Sequence, residues 1–357
     1  MAGMLKRHGA RTAWVWLGLL TGCAGPRAPQ FATVPPTRPG PAPATVTAPT
    51  VRLPPPAVSD TWVSLHKWAA DHALPPPRIL STNPVTCEWS VGSDLWRLRA
   101  ATTAAEWNGL EIRLGHAPEW RDDQLWLHAL DLAKHIEALR QPVRLRLSNP
   151  PRVVIDPGHG GSNTGARSVL DGRWEKEFTL DWGLRLAALL SAQGWDVILT
   201  RKTDTDVSLS QRVALAEKVG ADLFVSLHFN SVNGTNHTGG LETYCLTPVG
   251  LPSTLTRGYD DTVTVVHPNN AHDTANLQLA VRLHRALLEE TGLPDRGVRR
   301  ARFMTVLQGQ DRPAVLLEGG YLSHPEDARQ IASPQFRQRL AEAVARALLS
   351  LAADSNP

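Results

Sequence analysis

His159, Glu175, His228 and Glu318 are the residues whose types and placement could do chemistry together. Three short apolar runs lead to three of them. Val154 to Gly161 reads VIDPGHGG, Ser226 to Asn230 reads SLHFN, and Pro313 to Ser323 reads PAVLLEGGYLS. Each run starts like a buried parallel strand and changes abruptly at His159, His228 or Glu318. Open α/β sheets place their chemistry beyond the carboxyl ends of the strands. Two imidazoles and a carboxylate delivered there point to a metal site with a catalytic carboxylate beside it. A hydrolytic zinc site needs three protein ligands and an open position for water. His159, Glu175 and His228 supply nitrogen, oxygen and nitrogen. A single carboxylate leaves Zn²⁺ net positive, able to polarise a carbonyl. Glu318, kept off the metal, is suited to carrying a proton from water to a leaving amine.

Each residue also has a bland reading. A histidine in a Gly-rich turn is often structural, Glu175 could serve only the dipole of its helix, and Glu318 could be a turn residue. Their convergence on one sheet end favours the site. Glu177 competes with Glu175, because a helix sets residues two apart about 200° from one another and only one can face the site.

The elements that must position these residues alternate between strand and helix over 151–353. Strands are expected at Val153–Ile155, Val197–Thr200, Leu223–Leu227, Leu241–Leu246, Met304–Leu307 and Ala314–Leu317. Helices are expected at Lys176–Ala192, Leu209–Val219 and Ala275–Glu290, with two more opened by Pro325 and Ser333-Pro334. The pattern predicts an α/β fold, a doubly wound and mostly parallel sheet with covering helices. A small α+β domain, 59–148, precedes it. There an amphipathic stretch, Trp62 to Ala70, leads to alternating runs at Leu95–Ala100 and Leu110–Leu114, a turn at Arg121-Asp122-Asp123, an apolar run at Leu125–Leu127 and a helix at Leu130–Leu139. Seven tryptophans fall in this region and are read as core before glycan platforms.

Residues 1–22 read as a secretory signal, with a basic start, a short apolar run from Ala13 to Leu20, and then small residues. The run is too short to span a bilayer. Leu20-Thr21-Gly22-Cys23 resembles a bacterial lipoprotein signal, which implies an acylated Cys23 as membrane anchor. Ala24 after the Cys points to the periplasmic face of the outer membrane in a Gram-negative source. Between Pro26 and Pro56 there are 11 prolines, so 23–58 reads as an extended tether. The net charge of +3 comes from Lys6, Arg7 and Arg11; beyond residue 22 the two signs balance. That argues against nucleic acid as a partner. Cys87 and Cys245 form no disulfide framework.

The motifs over 152–351 resemble the zinc-dependent N-acetylmuramoyl-L-alanine amidases of bacterial cell walls. Ile155-Asp156-Pro157-Gly158-His159-Gly160-Gly161, with Gly165-Ala166, is similar to the first ligand motif of that family. Glu175-Lys176-Glu177-Phe178-Thr179-Leu180 is similar to its helix start, and the resemblance places the ligand on Glu175 rather than Glu177. Leu199-Thr200-Arg201, Asp204, Leu209, Arg212 and Ser226-Leu227-His228-Phe229-Asn230 follow in family order. Asp295-Arg296-Gly297-Val298 and Pro313 to Glu318 complete it. His324 and Glu217 stand where Asn is frequent. The 59–148 region resembles, over about 85 residues, the copper amine oxidase N-terminal-like domains of secreted wall proteins, with no copper implied.

The resemblance implies one catalytic Zn²⁺ on His159, Glu175 and His228, Glu318 as catalytic residue, and peptidoglycan as substrate, cut between N-acetylmuramic acid and L-alanine. It implies a role in wall remodelling or daughter-cell separation. The alternatives are a non-catalytic wall-binding or division-associated protein, or a hydrolase of another secreted amide. Some members carry a helical insert that blocks the site until a partner acts. The region Thr247 to Asp273 shows no amphipathic helix, so an open site is expected. A need for an activator is not readable from these residues.

Overall fold

The structure, a computed structural model, describes residues 61–233, 238–255 and 261–355. The signal segment, Cys23 and the Pro-rich tether lie outside the described residues. A small antiparallel sheet holds β1 (Trp62–Ser64), β7 (Glu119–Arg121) and β8 (Gln124–His128). The other strands are β2 (Arg78–Thr82), β3 (Val85–Val91), β4 (Asp94–Arg99), β5 (Ala104–Trp107), β6 (Leu110–Arg113), β9 (Arg152–Pro157), β10 (Asp196–Leu199), β11 (Leu223–Asn230), β12 (Leu241–Cys245), β13 (Asp295–Arg300) and β14 (Ala314–Tyr321). They form one sheet in the order β10-β9-β11-β14-β12-β13-β6-β5-β4-β3-β2. Its first four strands are parallel, and β12 runs antiparallel to β14. The strands β2 to β6 are an antiparallel meander, joined to β13 through the pair Val298 and Ile112.

The helices are α1 (Leu65–Asp71), α2 (Ala129–Asp131), α3 (Glu137–Arg140), α4 (Glu175–Ala192), α5 (Leu209–Lys218), α6 (Asp273–Thr291), α7 (Thr305–Gln308), α8 (Pro325–Ala332) and α9 (Pro334–Ser355). Strand alternation divides the parallel part of the sheet into two faces. Val153, Ile155, Leu223 and Val225 pack with Trp182 of α4, Leu283 of α6 and Leu340 of α9. Val154, Phe224 and Leu316 pack with Ala216 of α5 and Leu307 of α7. Burial on both faces explains why these strands read as continuous apolar runs, and the doubly wound α/β architecture follows.

The region 59–148, drawn in the sequence as a small α+β domain, shares both its sheet and its core with the rest. Trp89, Trp96, Leu98 and Ile112 belong to the same buried cluster as Val153 and Leu287. Trp89 and Trp96 are fully buried, and Cys87 and Cys245 are buried free thiols.

Two local readings need correction. Met304–Leu307, expected as a strand, is instead the start of α7, and the strand lies earlier, at Asp295–Arg300. The stretch Trp62 to Ala70 is not one helix. Ser64 Oγ accepts from Lys67 N at 3.3 Å and caps α1, which leaves Trp62–Ser64 free to pair with β8.

Candidate metal centre

Sheet register sets the first part of the site. On the α5 side, the residues in step across three adjacent strands are Val154 and Asp156 of β9, Phe224, Ser226 and His228 of β11, and Ala314, Leu316 and Glu318 of β14. Apolar pairs fill the lower rungs. Polar groups take over where the strands end, at Asp156, Ser226, His228 and Glu318. The site is thus the last rung of the core.

His159 follows β9 on a turn it enters with φ +61°, an uncommon conformation for a residue with a side chain. Two buried arginines hold that turn. Arg212 donates to the carbonyls of Pro157 (2.9 Å) and His159 (2.7 Å), and Arg201 donates to those of Pro157 (2.9 Å) and Gly158 (2.8 Å). Asp156 anchors Arg212 in an ion pair and accepts from Thr200 Oγ1 (2.6 Å) and Ser226 Oγ (2.7 Å).

Glu175 is the first residue of α4, and its carboxylate lies between the two imidazoles. Oε2 is 3.0 Å from His159 Nε2, and Oε1 is 3.0 Å from His228 Nδ1. The backbone N–H groups of Ala166 and Phe229 donate to the same two oxygens at 2.9 and 3.0 Å. Burial pushes the Glu175 carboxyl up, but the bonds to His159 and His228 outweigh it and hold the group well below the usual carboxylate range. For His159, burial pulls the other way and the contact with Glu175 prevails, so its pKa is raised. Glu177 turns away and accepts from Trp174 N at 3.0 Å, closing the helix start. Of the two glutamates, Glu175 is the one that faces both imidazoles.

The residues present fit a metal ion. Donor atoms of His159, Glu175 and His228 all lie within 4.8 Å of one another. Asn163 Oδ1 is 2.8 Å from His159 Nδ1 and accepts from its N–H, so that Nε2, on the Glu175 side, would offer its lone pair to an ion that displaces its proton. Two glycines make the cradle. A Cβ at Gly158 would meet His228 Cε1 at 2.3 Å, and one at Gly165 would meet Glu175 Oε2 at 2.6 Å and His159 Cδ2 at 2.7 Å. A cavity of about 350 Å³ opens beside the two histidines, lined in part by Asn163, Asp206, Leu209 and Val306. No described residue of 247–273 lines it.

Glu318 is half-buried and pairs in register with His228 on one side and Glu242 on the other. Glu242 is buried and heavily bonded. Asn230 Nδ2 (2.9 Å), Tyr244 Oη (2.8 Å) and Arg296 Nε (3.1 Å) all donate to it. Asn230 and Arg296, whose roles the motifs left open, thus hold a second carboxylate beside Glu318. His324 and Glu217 lie apart from the site. His324 caps α8, and Glu217 pairs with Arg312. Sequence reasoning missed Asp156, Asn163 and the Gly158–His228 contact. The proximity of Asp156 to the His159 motif was the one available signal.

An α/β fold that gathers two imidazoles around one buried carboxylate at its strand ends defines the class: a hydrolase-type domain with a preformed N, O, N donor set. Residues 153–350 match the family described as N-acetylmuramoyl-L-alanine amidase, and the chain belongs to that family. It is 35% identical over 199 residues to N-acetylmuramoyl-L-alanine amidase CwlM of Bacillus licheniformis, across 55% of this chain and 67% of the relative. It is 31% identical over 210 residues to N-acetylmuramoyl-L-alanine amidase LytC of Bacillus subtilis, across 58% of this chain but only 37% of the relative. Among solved structures, it is similar to the N-acetylmuramoyl-L-alanine amidase from Clostridium difficile 630, with 30% identity, a TM-score of 0.49, and coverage of 58% of this chain and 100% of that chain.

Proposed function

We propose that this chain is a zinc-dependent amidase of peptidoglycan. It hydrolyses the amide between the lactyl group of N-acetylmuramic acid and the L-alanine of the stem peptide. The observation that carries this reading is Glu175, buried with one oxygen on each of His159 and His228 at 3.0 Å. Those three residues would hold the ion. When bound, zinc supplies a Lewis acid that polarises the amide carbonyl and acidifies water.

The chain's own groups do the rest. Asn163 and the backbone donors at Ala166 and Phe229 keep the ligands aimed. Glu318 takes a proton from the attacking water as its oxygen bonds to the carbonyl carbon. It then delivers that proton to the nitrogen of L-alanine as the C–N bond breaks. The open cavity and the absence of described 247–273 residues from its lining support a site that works without removal of a blocking segment.

The proposal extends to the ends of the chain. Cys23 carries a lipid anchor, 23–58 is a tether, and the enzyme works on the wall from the periplasmic face of the outer membrane, in remodelling or daughter-cell separation. The test is digestion of purified sacculi by the full-length protein, with and without a zinc chelator. Chelator-sensitive release of stem peptides beginning in L-Ala, together with peptide-free glycan, is expected in the mass spectrum. Intact sacculi despite bound zinc would overturn the amidase reading in favour of a wall-binding role or another amide substrate.

A further inference from the structure

A second cluster of metal-type donors lies in the 59–148 region, outside the site described above. Asp131 ends α2 and is fully buried. His116 Nδ1 is 2.9 Å from its Oδ2, and His135 Nδ1 is 3.1 Å from its Oδ1. The N–H groups of Gly115 and His116 donate to the same two oxygens at 2.7 and 2.9 Å. This repeats the arrangement around Glu175: one buried carboxylate, an imidazole on each oxygen near 3 Å, and a backbone N–H on each.

A third imidazole completes the set. His128 is buried, its ring stacks on that of His116 at 3.9 Å, and donor atoms of His116, His128 and Asp131 all lie within 4.8 Å of one another. Ligands about 2.0 Å from a tetrahedral ion lie only roughly 3–3.5 Å apart, so small side-chain shifts would close this site. Two further observations point to a ligand. His135 is fully buried, its Nδ1 faces Asp131 Oδ1, and among the described residues its Nε2 has no hydrogen bond. The helix also leaves α geometry at this point, running as a π-helix over Leu132–Ile136, a distortion that concentrates at functional sites. Trp62 stands in T-shaped contact with both His116 and His128.

We infer that His116, His128 and Asp131 bind a first-row divalent transition metal, with His135 bracing the other carboxylate oxygen. Imidazole with one carboxylate suits zinc, copper or nickel rather than calcium or magnesium. The ion would act structurally, tying the end of β8 and α2 to the loop after β6.

The probe is Zn²⁺ alone, titrated into metal-free full-length protein, with bound metal counted by elemental analysis. Two tight equivalents per chain are expected for the wild type and one for His116→Gln, with its chelator-sensitive catalytic equivalent retained. His128→Gln is the second variant. A thermal readout covers the case in which both fold poorly: zinc should raise the Tm of His228→Ala, whose catalytic triad is broken. One equivalent in the wild type, two in folded His116→Gln, or no zinc effect on the Tm of His228→Ala would each overturn the assignment. Because the catalytic equivalent is counted separately, failure here leaves the amidase reading untouched.

Discussion

His228 and Glu318 stand side by side in register on the adjacent parallel strands β11 and β14. The pairing puts a proposed ligand and a proposed proton carrier on one rung, with the same face of the sheet beneath them. It gives a direct separation of roles. Glu318→Gln is expected to lower kcat about 10²–10⁴-fold, the usual worth of a general acid–base group. Its zinc content should match the wild type. Loss of zinc in that variant would make Glu318 a ligand and leave the proton carrier unassigned.

Glu175 and Glu177 offer a matched comparison on one helix turn. Glu175→Ala removes the oxygens shared by both imidazoles and should abolish zinc binding at this site and turnover together. Glu177→Ala removes only the contact to Trp174 N and should cost about 0.5–1 kcal/mol in thermal or denaturant unfolding, with kcat kept. Equal effects from the two changes would contradict the placement of the ligand.

The Asn163 side chain holds the His159 imidazole at Nδ1. Asn163→Ala frees the imidazole to rotate and should weaken zinc about 10–100-fold in a competition titration. Gly158→Ala tests the cradle from the other side, because the added methyl would sit where the His228 ring lies. It should weaken zinc binding with little loss of secondary structure in circular dichroism.

Asp156 and Arg212 are both buried and form an ion pair. Asp156→Ala leaves the guanidinium unpaired in the core. A loss of about 3–5 kcal/mol is expected in denaturant unfolding, and activity should fall with it, since Arg212 also holds the His159 carbonyl.

The segment after β12 is woven into the core. Leu251 and Asn269 are buried, Arg302 donates to the carbonyls of Pro248 (2.8 Å) and Leu251 (3.1 Å), and Asn269 donates to that of Arg312 (2.7 Å). Deleting 250–272 should therefore lower the Tm, and activity per folded molecule should not rise. A sharp rise would show that the segment covers the site.

Three of the four proposed active-site residues, His159, His228 and Glu318, were legible because they interrupt apolar runs, an abrupt change in a linear pattern, whereas Glu175 stood out from Glu177 only through the family resemblance of its helix start. Supports such as Asp156 with Arg212 were not, since 56 residues separate the partners and only the fold brings them together. The strand β13 shows a different blindness. Its sequence, Asp-Arg-Gly-Val-Arg-Arg, carries no apolar run, yet it lies inside the sheet. Arg296 and Arg299 are matched by Glu242, Asp295 by His284, and Arg300 by the carbonyls of Leu246 and Lys134. Charges matched by partners within the sheet escape a search for hydrophobicity. Met304–Leu307 drew the strand assignment because α7, a single short turn, buries Val306 and Leu307 much as a strand would.

The seam between β13 and β6 also decides how this protein behaves in company. On its far side β13 pairs with β6 of the meander through Val298 and Ile112. A fragment beginning at residue 151 would leave β13 as an open lateral edge, the kind that recruits strands from other molecules. Its arginines, already engaged with Glu242 and with backbone carbonyls, would guard it poorly. Light scattering should therefore show more self-association for a fragment beginning at residue 151 than for the full chain, and equal behaviour would show that the β13 edge needs no cover.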